Sequence, residues 1–327
     1  MIFHQAYAAS DHTRPSVVSL FTGTYPTNHG FWHHKSKIKI KKPNPATVMP
    51  NDYKTILVNA NPNTFFIFAD DFDYSWSKYP EKDPKYADCA YYPAKYIFNK
   101  ARDFLKEANF PDKVLLYIQP ADPHSPYYPL KKYPDLFEGD KYKDKYTGRN
   151  KSKLCDLRWD ENLSKKTYAE IKNLKNRYDA EVRYLDEQMH LFWEFMSKKY
   201  QKILFIFTSD HGESFLDHND AGHGTSLYNE QIKIPFVIID SEKRFGKPRG
   251  LDVLVSNVDI LPTIAEVVGY QKELEVDGES LFKIMNYFQK WFPLKKNRII
   301  ISEVVHSSEI IDVDTVEDGK VKEILKY

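Results

Sequence analysis

The first of four short clusters that can perform ester chemistry spans residues 13–23. Its Pro15 suits the first turn of a helix, and Gly23 suits the end of the same helix. Thr13 would then stand at the helix N-terminus, where free N–H groups and the helix dipole attract an anion. A hydroxyl in that place can act as a nucleophile toward phosphate or sulfate. It can equally be an ordinary helix cap, and the cluster by itself leaves both interpretations open.

The second cluster, residues 208–213, contains Asp210 and His211 directly after the clearest apolar strand pattern of the chain. In an open parallel sheet, ligands bind beyond the carboxyl ends of the strands. A carboxylate beside an imidazole can bind a metal such as Mn or Zn there. A simple turn would explain the pair as well, but its position after the strand favours a metal site.

The third cluster, residues 121–127, follows another strand pattern and holds His124 between two prolines. Because proline restricts the backbone, the loop would hold this histidine in a fixed place. A fixed histidine can bind an anionic oxygen or protonate a leaving group. The competing interpretation is a structural histidine in a rigid turn.

The fourth cluster is centred on His223, which Gly222 and Gly224 flank. Glycines on both sides leave the backbone open to a ligand. His218 lies nearby in the sequence but is less well placed. We therefore assign the functional role to His223.

The elements that must position these clusters alternate between strands and helices. Apolar runs predict strands at residues 55–58, 114–118, 203–207 and 236–239. Helical spacing of apolar residues predicts one helix around residues 97–105, a long one around 185–196, and one through 262–267 that Gly269 ends. Strands separated by helices predict an α/β protein with a mostly parallel sheet covered on both faces.

The composition narrows the class of protein further. Lys+Arg number 47 and Asp+Glu 46, and a net charge of +1 argues against a dedicated nucleic-acid binder. No apolar run is long enough to span a membrane, and the first residues lack the pattern of a secretory signal. We therefore expect a cytoplasmic protein with no membrane segment.

Three basic or irregular segments lie between the predicted elements. The runs at residues 35–42 and 141–153 are rich in lysine and predict solvated surface. The alternative is a surface that binds an anionic polymer. Residues 131–165 lack periodicity, and we interpret them as an insertion loop that sets the organic part of a substrate.

Together and in this order, the clusters resemble the motifs of the sulfatase family, within the alkaline phosphatase superfamily. The likeness runs from about residue 6 to residue 281, and it is carried by residues 13–30, 122–127, 178–186, 209–213, 258–263 and 277–281. It implies an alkaline phosphatase-like, three-layer α/β/α fold with a mostly parallel central sheet. It also implies a catalytic domain over residues 1–290 and a partial, incomplete C-terminal region over residues 291–327.

The resemblance further implies a metal-dependent hydrolase of sulfate or phosphate esters, either small molecules or polymer-linked. One divalent ion (Mn, Zn or Ca) would be held by Thr13, Asp210 and His211. Thr13 would attack phosphorus or sulfur to form a covalent ester, which water then releases. His124 and His223 would bind the oxyanion or protonate the leaving group.

Three departures from the family pattern accompany this resemblance. Sulfatases carry Cys or Ser, which is converted to formylglycine, where this chain has Thr13; threonine is typical of phosphodiesterase-like and phosphoglycerol-transferase-like relatives. The family's arginine two residues after the proline is Val17, so Arg14 is the candidate to supply that charge. Family members also place a strand with acidic metal ligands before the equivalent of Ala6, and we expect this chain to lack that strand. A truncated or catalytically impaired sulfatase-fold protein is therefore the alternative to an active enzyme.

Overall fold

The computed structural model of the protein describes residues 1–32, 43–65, 67–80, 83, 91–125, 127, 165–290 and 298–304. Several predicted segments lie outside the described residues: the basic runs at residues 35–42 and 141–153, residues 131–164 of the predicted insertion, and most of the predicted C-terminal region. The interpretations made of those segments remain predictions.

The described chain alternates strands and helices as the sequence predicts. The strands are β1 Ile2–Tyr7, β2 Lys54–Asn59, β3 Tyr74–Trp76, β4 Val114–Gln119, β5 Leu204–Thr208, β6 Ser214–Phe215, β7 Ala221–Gly222, β8 Phe236–Asp240 and β9 Gly250–Ser256. The helices are α1 Thr13–Thr22, α2 Pro26–His29, α3 Pro62–Phe65, α4 Ala94–Glu107, α5 Lys165–Lys199, α6 Asn229–Ile232, α7 Ile260–Val268 and α8 Leu281–Lys290. None of the described helices combines the length and the apolar character that crossing a membrane requires.

Most neighbouring strands of the two main sheets run parallel. One sheet has the order β5-β8-β1-β9, and the other has the order β3-β2-β4. All pairs of the second sheet and the pair β1–β9 are parallel, whereas β8 runs antiparallel to both of its neighbours. The prediction of a mostly parallel sheet is confirmed.

Helices cover both faces of the strands, because the apolar side chains of β2 alternate between two cores. Leu57 joins a core that α1, α7 and α8 complete, with Phe21 and Leu281 among its fully buried members. Ile56 and Val58 point the other way, into a core formed with α4 and α5. This arrangement is the predicted α/β/α layering.

The strands β4 and β5 are edge strands at which the two sheets end. Every residue of both strands is half-buried, although their sequences are apolar. Helix α1 packs on both: the ring of Phe21 lies 4.8 Å from that of Tyr117 on β4, and Ser16 donates to the carbonyl oxygen of Asp210 just beyond β5. Among the described residues no ladder of backbone hydrogen bonds joins β4 to β5.

The predicted helix ends are confirmed by backbone geometry. Gly23 and Gly269 follow α1 and α7 in the left-handed conformation, with φ of 66° and 71°. The strands β1, β3 and β9 and the helix α8 were not predicted. In β9 the exposed Asp252 interrupts the apolar run, and β1 and β3 are short segments with mixed polarity.

Candidate active site

Thr13 is the first residue of α1, and its hydroxyl faces a histidine rather than capping the helix. The cap position belongs to His12, which makes no side-chain cap hydrogen bond. Oγ1 of Thr13 lies 3.0 Å from Nε2 of His211. Nδ1 of His211 lies 2.8 Å from the carbonyl oxygen of Gly212, and a carbonyl only accepts, so Nδ1 carries the proton. In the neutral ring, Nε2 therefore accepts from Thr13, and the interpretation of Thr13 as a cap is wrong.

The neutral form of His211 is the one that its surroundings favour. Burial lowers the pKa of His211; Asp210 opposes this, and His223 adds to it. Oδ2 of Asp210 lies 3.7 Å from Nε2 of His211, and Oδ1 accepts from the backbone N–H of His211. Thus the three predicted metal-binding side chains of Thr13, Asp210 and His211 converge at the carboxyl end of β5.

These three side chains fit one side of a divalent metal ion. They offer a carboxylate oxygen, a hydroxyl oxygen and an imidazole nitrogen, which suits ions that take mixed oxygen and nitrogen donors. Among the described residues, no group of three or more His, Cys, Asp or Glu side chains could hold a metal by itself. Within the described residues, the Thr13 hydroxyl is therefore the candidate third ligand beside Asp210 and His211.

His223 is held by a buried carboxylate. Its Nδ1 lies 3.0 Å from Oε1 of Glu213, and the other oxygen of Glu213 accepts from the hydroxyl of Tyr127 at 2.9 Å. Burial by itself lowers the pKa of His223, but the charge and the hydrogen bond of Glu213 outweigh it, so the pKa of His223 is raised. A raised pKa favours the imidazolium, in which Nε2 carries a proton as well as Nδ1. The sequence motif contained Glu213, but its role was not predicted.

His124 differs from His223 in its protonation. Its Nδ1 donates to the carbonyl oxygen of Ser125 at 2.6 Å. Burial, followed by the nearby charge of His223, lowers the pKa of His124, so the neutral ring is favoured. Its Nε2 is then an acceptor. Of the two predicted proton donors, His223 is the one whose surroundings suit that role.

A cavity of about 270 Å³ joins most of the predicted residues. It is lined by side chains from the start of α1, from the segments that follow β2, β4 and β7, and from the segment before α4, namely His12, Thr13, Arg14, Asn61, Tyr91, His124 and His223. Sequence reasoning missed His12, Asn61 and Tyr91. Of these three, only Asn61 could have been found from the sequence, because it follows the carboxyl end of a predicted strand, where ligands bind.

Arg14 lines this cavity, whereas Val17 is 2% exposed and belongs to the core. The positive charge that the sequence assigned to Arg14 is therefore at the site, and the side chain at position 17 points elsewhere. His218 stacks on Tyr228, with ring centroids 4.0 Å apart, and pairs with Glu230. The choice of His223 over His218 agrees with this placement.

A buried polar network holds the loop that carries His223. Asp220, which is fully buried, accepts hydrogen bonds from Thr225 and from the side chain of Gln231. The backbone N–H of Gly224 donates to the carbonyl oxygen of Asp11, directly before His12. Such a fully paired network fixes the loop against the start of α1.

Replacing Asp122 with asparagine is expected to stabilise the protein increasingly as the pH rises. Burial raises the pKa of Asp122 to about 6, above its ordinary value of 3.8. A carboxyl whose pKa is raised by folding favours the native state at low pH, and that advantage is lost as the pH rises through the folded pKa. The side chain is partly accessible to solvent, which reduces the effect of its charge. We therefore expect Asp122→Asn to raise the free energy of unfolding by about 2 kcal/mol at pH 8 and by about 1 kcal/mol at pH 5.

Urea unfolding at the two pH values measures this difference. The exposed Asp252→Asn on β9 is the control and should show no such trend. An equal effect of Asp122→Asn at pH 5 and pH 8 would contradict the assignment of a raised pKa to this carboxyl.

Gly212→Ala is expected to destabilise the protein and displace His211. A Cβ at this position would overlap the carbonyl oxygen of Glu230, which is backbone and cannot swing away. We expect a loss of about 3 kcal/mol in the free energy of unfolding. Gly269→Ala is the matched control, because it has space around it but a φ of +71°, so a cost of about 1 kcal/mol is expected. Equal losses in urea unfolding would contradict the steric argument.

The layered sheet, with its site at the carboxyl ends of β4 and β5, is the alkaline phosphatase-like α/β fold. The phosphonate monoester hydrolase of Agrobacterium radiobacter shares it with a TM-score of 0.67 at 17% identity, over 88% of this chain and 70% of that chain. A structure solved in complex with its substrate D-glucosamine-2-N,6-O-disulfate gives a TM-score of 0.62 at 17% identity, over 87% of this chain and 72% of that chain. The predicted fold class is confirmed.

The sulfatase family model matches residues 1–270, so the chain belongs to the sulfatase family. The arylsulfatase of Clostridium perfringens is 27% identical over 198 residues, which are 58% of this chain and 41% of that protein. Human N-acetylglucosamine-6-sulfatase is 26% identical over 331 residues, with coverages of 87% and 58%. The chain spans about two fifths of the length of the bacterial sulfatases it matches.

Proposed function

We propose that this protein is a hydrolase of sulfate or phosphate esters that uses Thr13 as its nucleophile. The observation that carries the proposal is the distance of 3.0 Å between the Thr13 hydroxyl and Nε2 of His211. The hydroxyl stands at the first residue of a ten-residue helix, where backbone N–H groups favour an anion. Membership of the sulfatase family supports ester hydrolysis as the reaction class.

The residues divide the work of the reaction among them. The N-terminus of α1 and Arg14 hold the oxyanion, and Nε2 of His211 faces the proton of the Thr13 hydroxyl. As the Thr13 hydroxyl gives up its proton to solvent water, the bond between Oγ1 and sulfur or phosphorus forms and the bond to the alcohol oxygen breaks. His223 gives its Nε2 proton to that leaving oxygen. Water then hydrolyses the ester on Thr13 and regenerates the hydroxyl.

A divalent ion fits the proposal as a resident cofactor. Thr13, Asp210 and His211 would hold it, and we name Mn, Zn or Ca as the candidates. Bound there, it would take Nε2 of His211 in place of the Thr13 proton and would lower the pKa of the hydroxyl, as metal sites lower that of water from about 15.7 to about 7. Asp210 offers the anionic oxygen, and its contact with the backbone N–H of His211 fixes the direction of that oxygen.

The preferred oxyanion is proposed to be phosphate rather than sulfate. Threonine at position 13 cannot become the formylglycine of sulfatases. The Agrobacterium radiobacter protein of similar fold is a phosphonate monoester hydrolase, and relatives of this chain are arylsulfatase and N-acetylglucosamine-6-sulfatase by name. We therefore propose small-molecule or sugar-linked esters as substrates and expect no nucleic-acid substrate.

Turnover by the purified chain tests the proposal. Four substrate classes are assayed, each with Mn, Zn, Ca or a chelator: aryl sulfate, aryl phosphate, phosphonate monoester and phosphate diester. Metal-dependent release of the phenol from one class supports the proposal and names its oxyanion. Turnover that is unchanged by a chelator would contradict the metal site.

A catalytically impaired sulfatase-fold protein is the second candidate function. It is favoured by the donor set, which contains one carboxylate and one imidazole within reach of Thr13. Absence of turnover in every combination, together with weak binding of Mn and Zn in calorimetry, would favour this candidate over the enzyme.

A further inference from the structure

A row of rings leads from the protein surface to the surroundings of Thr13. Tyr79 is 40% exposed, and its ring centroid lies 6.1 Å from that of Tyr91. The ring of Tyr91 meets His124 edge-on at 4.9 Å, and His124 lies 5.6 Å from His223. The row therefore joins the solvent to the reacting end of the cavity.

The cavity combines polar or charged groups with neutral ones. Thr13, Arg14 and the histidines are the groups proposed to act on the oxyanion and its leaving oxygen. Tyr91 and Asn61 line the same cavity and are neutral. Burial, followed by the neighbouring Tyr79, raises the pKa of Tyr91, so its hydroxyl keeps its proton.

The direction of attack sends the alcohol part of an ester away from Thr13. In a displacement at phosphorus or sulfur, the attacking and leaving oxygens lie roughly in line. An oxyanion attacked by Thr13 therefore points its leaving oxygen away from α1. His223 is the proposed proton donor to that oxygen, and Tyr91 reaches it through His124: the ring centroids lie 4.9 Å apart for Tyr91 and His124 and 5.6 Å apart for His124 and His223.

The size and chemistry of the cavity favour a single ring in the alcohol part. Its volume of about 270 Å³ lies near the lower limit of small-molecule sites, which span about 300–1,000 Å³. An oxyanion and one ring fit such a volume, whereas an extended chain must leave it. A tyrosine offers a flat apolar face with a polar tip, and the amide of Asn61 adds hydrogen bonding.

We propose that Tyr91, backed by Tyr79, determines substrate specificity by contacting a ring in the alcohol part of the ester. The proposal rests on the ester hydrolysis proposed above. Because of this contact, esters of ring-containing alcohols are better substrates than esters of small open-chain alcohols.

Benzyl and ethyl esters of the oxyanion that the wild-type chain hydrolyses test this specificity. Both are esters of unactivated primary alcohols, and comparing their kcat/KM ratio between variants cancels their difference in reactivity. Tyr91→Ala is expected to lower kcat/KM for the benzyl ester about tenfold, mainly through KM, and for the ethyl ester less than about twofold. Tyr91→Phe keeps the ring and should keep the preference.

Tyr168→Ala is the matched control, because Tyr168 is 56% exposed on α5. Tyr168→Ala should leave kcat/KM unchanged for both esters. An equal loss for both esters in Tyr91→Ala leaves their kcat/KM ratio unchanged. That result would overturn the proposal, because Tyr91 would then only support His124.

Direct binding separates this proposal from the proposed function. Benzyl alcohol carries no oxyanion, and its binding to the wild-type chain is measured by calorimetry without turnover. Binding that Tyr91→Ala removes and Tyr168→Ala retains supports the ring site even if no ester is hydrolysed. Binding that is absent, or that survives Tyr91→Ala, overturns it whatever the turnover experiment shows.

Discussion

Thr13→Ala is expected to reduce kcat/KM by about 10⁴-fold or more, because it removes the nucleophile of the proposed covalent step. The hydroxyl oxygen is the only atom that Thr13 offers to sulfur or phosphorus, and it is also a proposed metal ligand. The loss should therefore appear in kcat and in the affinity for Mn or Zn. Steady-state kinetics and calorimetry on the same variant measure the two effects.

Two variants on the same helix control for this change. Thr22→Ala removes a buried hydroxyl that donates to the carbonyl oxygen of Val18, at the far end of α1 from the site. It is expected to cost about 1 kcal/mol of stability and to leave kcat within about twofold. Thr13→Ser restores a hydroxyl and should recover part of the activity. Full metal-dependent turnover by Thr13→Ala would rule out the nucleophile.

Glu213→Gln is expected to reduce kcat by about 10²- to 10⁴-fold with a smaller change in KM. Glu213 accepts from Nδ1 of His223 at 3.0 Å, and both side chains are largely buried. Glutamine keeps the shape but loses the charge that supports the imidazolium, so His223 becomes a poorer proton donor. The effect acts through His223, which makes Glu213 a positioning residue.

Esters with different leaving groups distinguish a lost proton donor from simple unfolding. The loss in Glu213→Gln should be large for an alkyl ester, whose alcohol needs a proton. It should be small for a 4-nitrophenyl ester, whose phenolate leaves without one. Equal losses for both esters would contradict the proposed role of the pair.

Another carboxylate–histidine pair provides the matched control for charge removal. Glu230 lies 3.3 Å from Nδ1 of His218, a half-exposed residue away from the cavity. Glu230→Gln should change kcat by less than about twofold, because neither Glu230 nor His218 lines the cavity. Tyr127→Phe removes the second hydrogen bond to Glu213 and should have an intermediate effect.

The sequence by itself determined the layered α/β architecture and the family. Strands such as β2, β4 and β5 were predicted because buried strands are short apolar runs, and helices such as α4 because an amphipathic face repeats every 3.6 residues. The clusters at Thr13, His124 and Asp210 were identifiable because each follows a predicted strand or begins a predicted helix, and the cluster at His223 because glycines flank it. Short segments with mixed polarity, such as β1 and β9, gave no such periodicity and were missed.

The tertiary structure alone decided which side chains meet. Thr13 and His211 are far apart in sequence but 3.0 Å apart in space, and only the folded sheet edge shows that the hydroxyl faces an acceptor rather than the helix end. Glu213 and His223 pair because the β6–β7 hairpin brings them together. Tyr91 belongs to no motif, and it reaches the cavity through the packing of its ring on His124. Local patterns encode the elements, whereas protonation and substrate contact depend on distances between segments that the chain brings together only on folding.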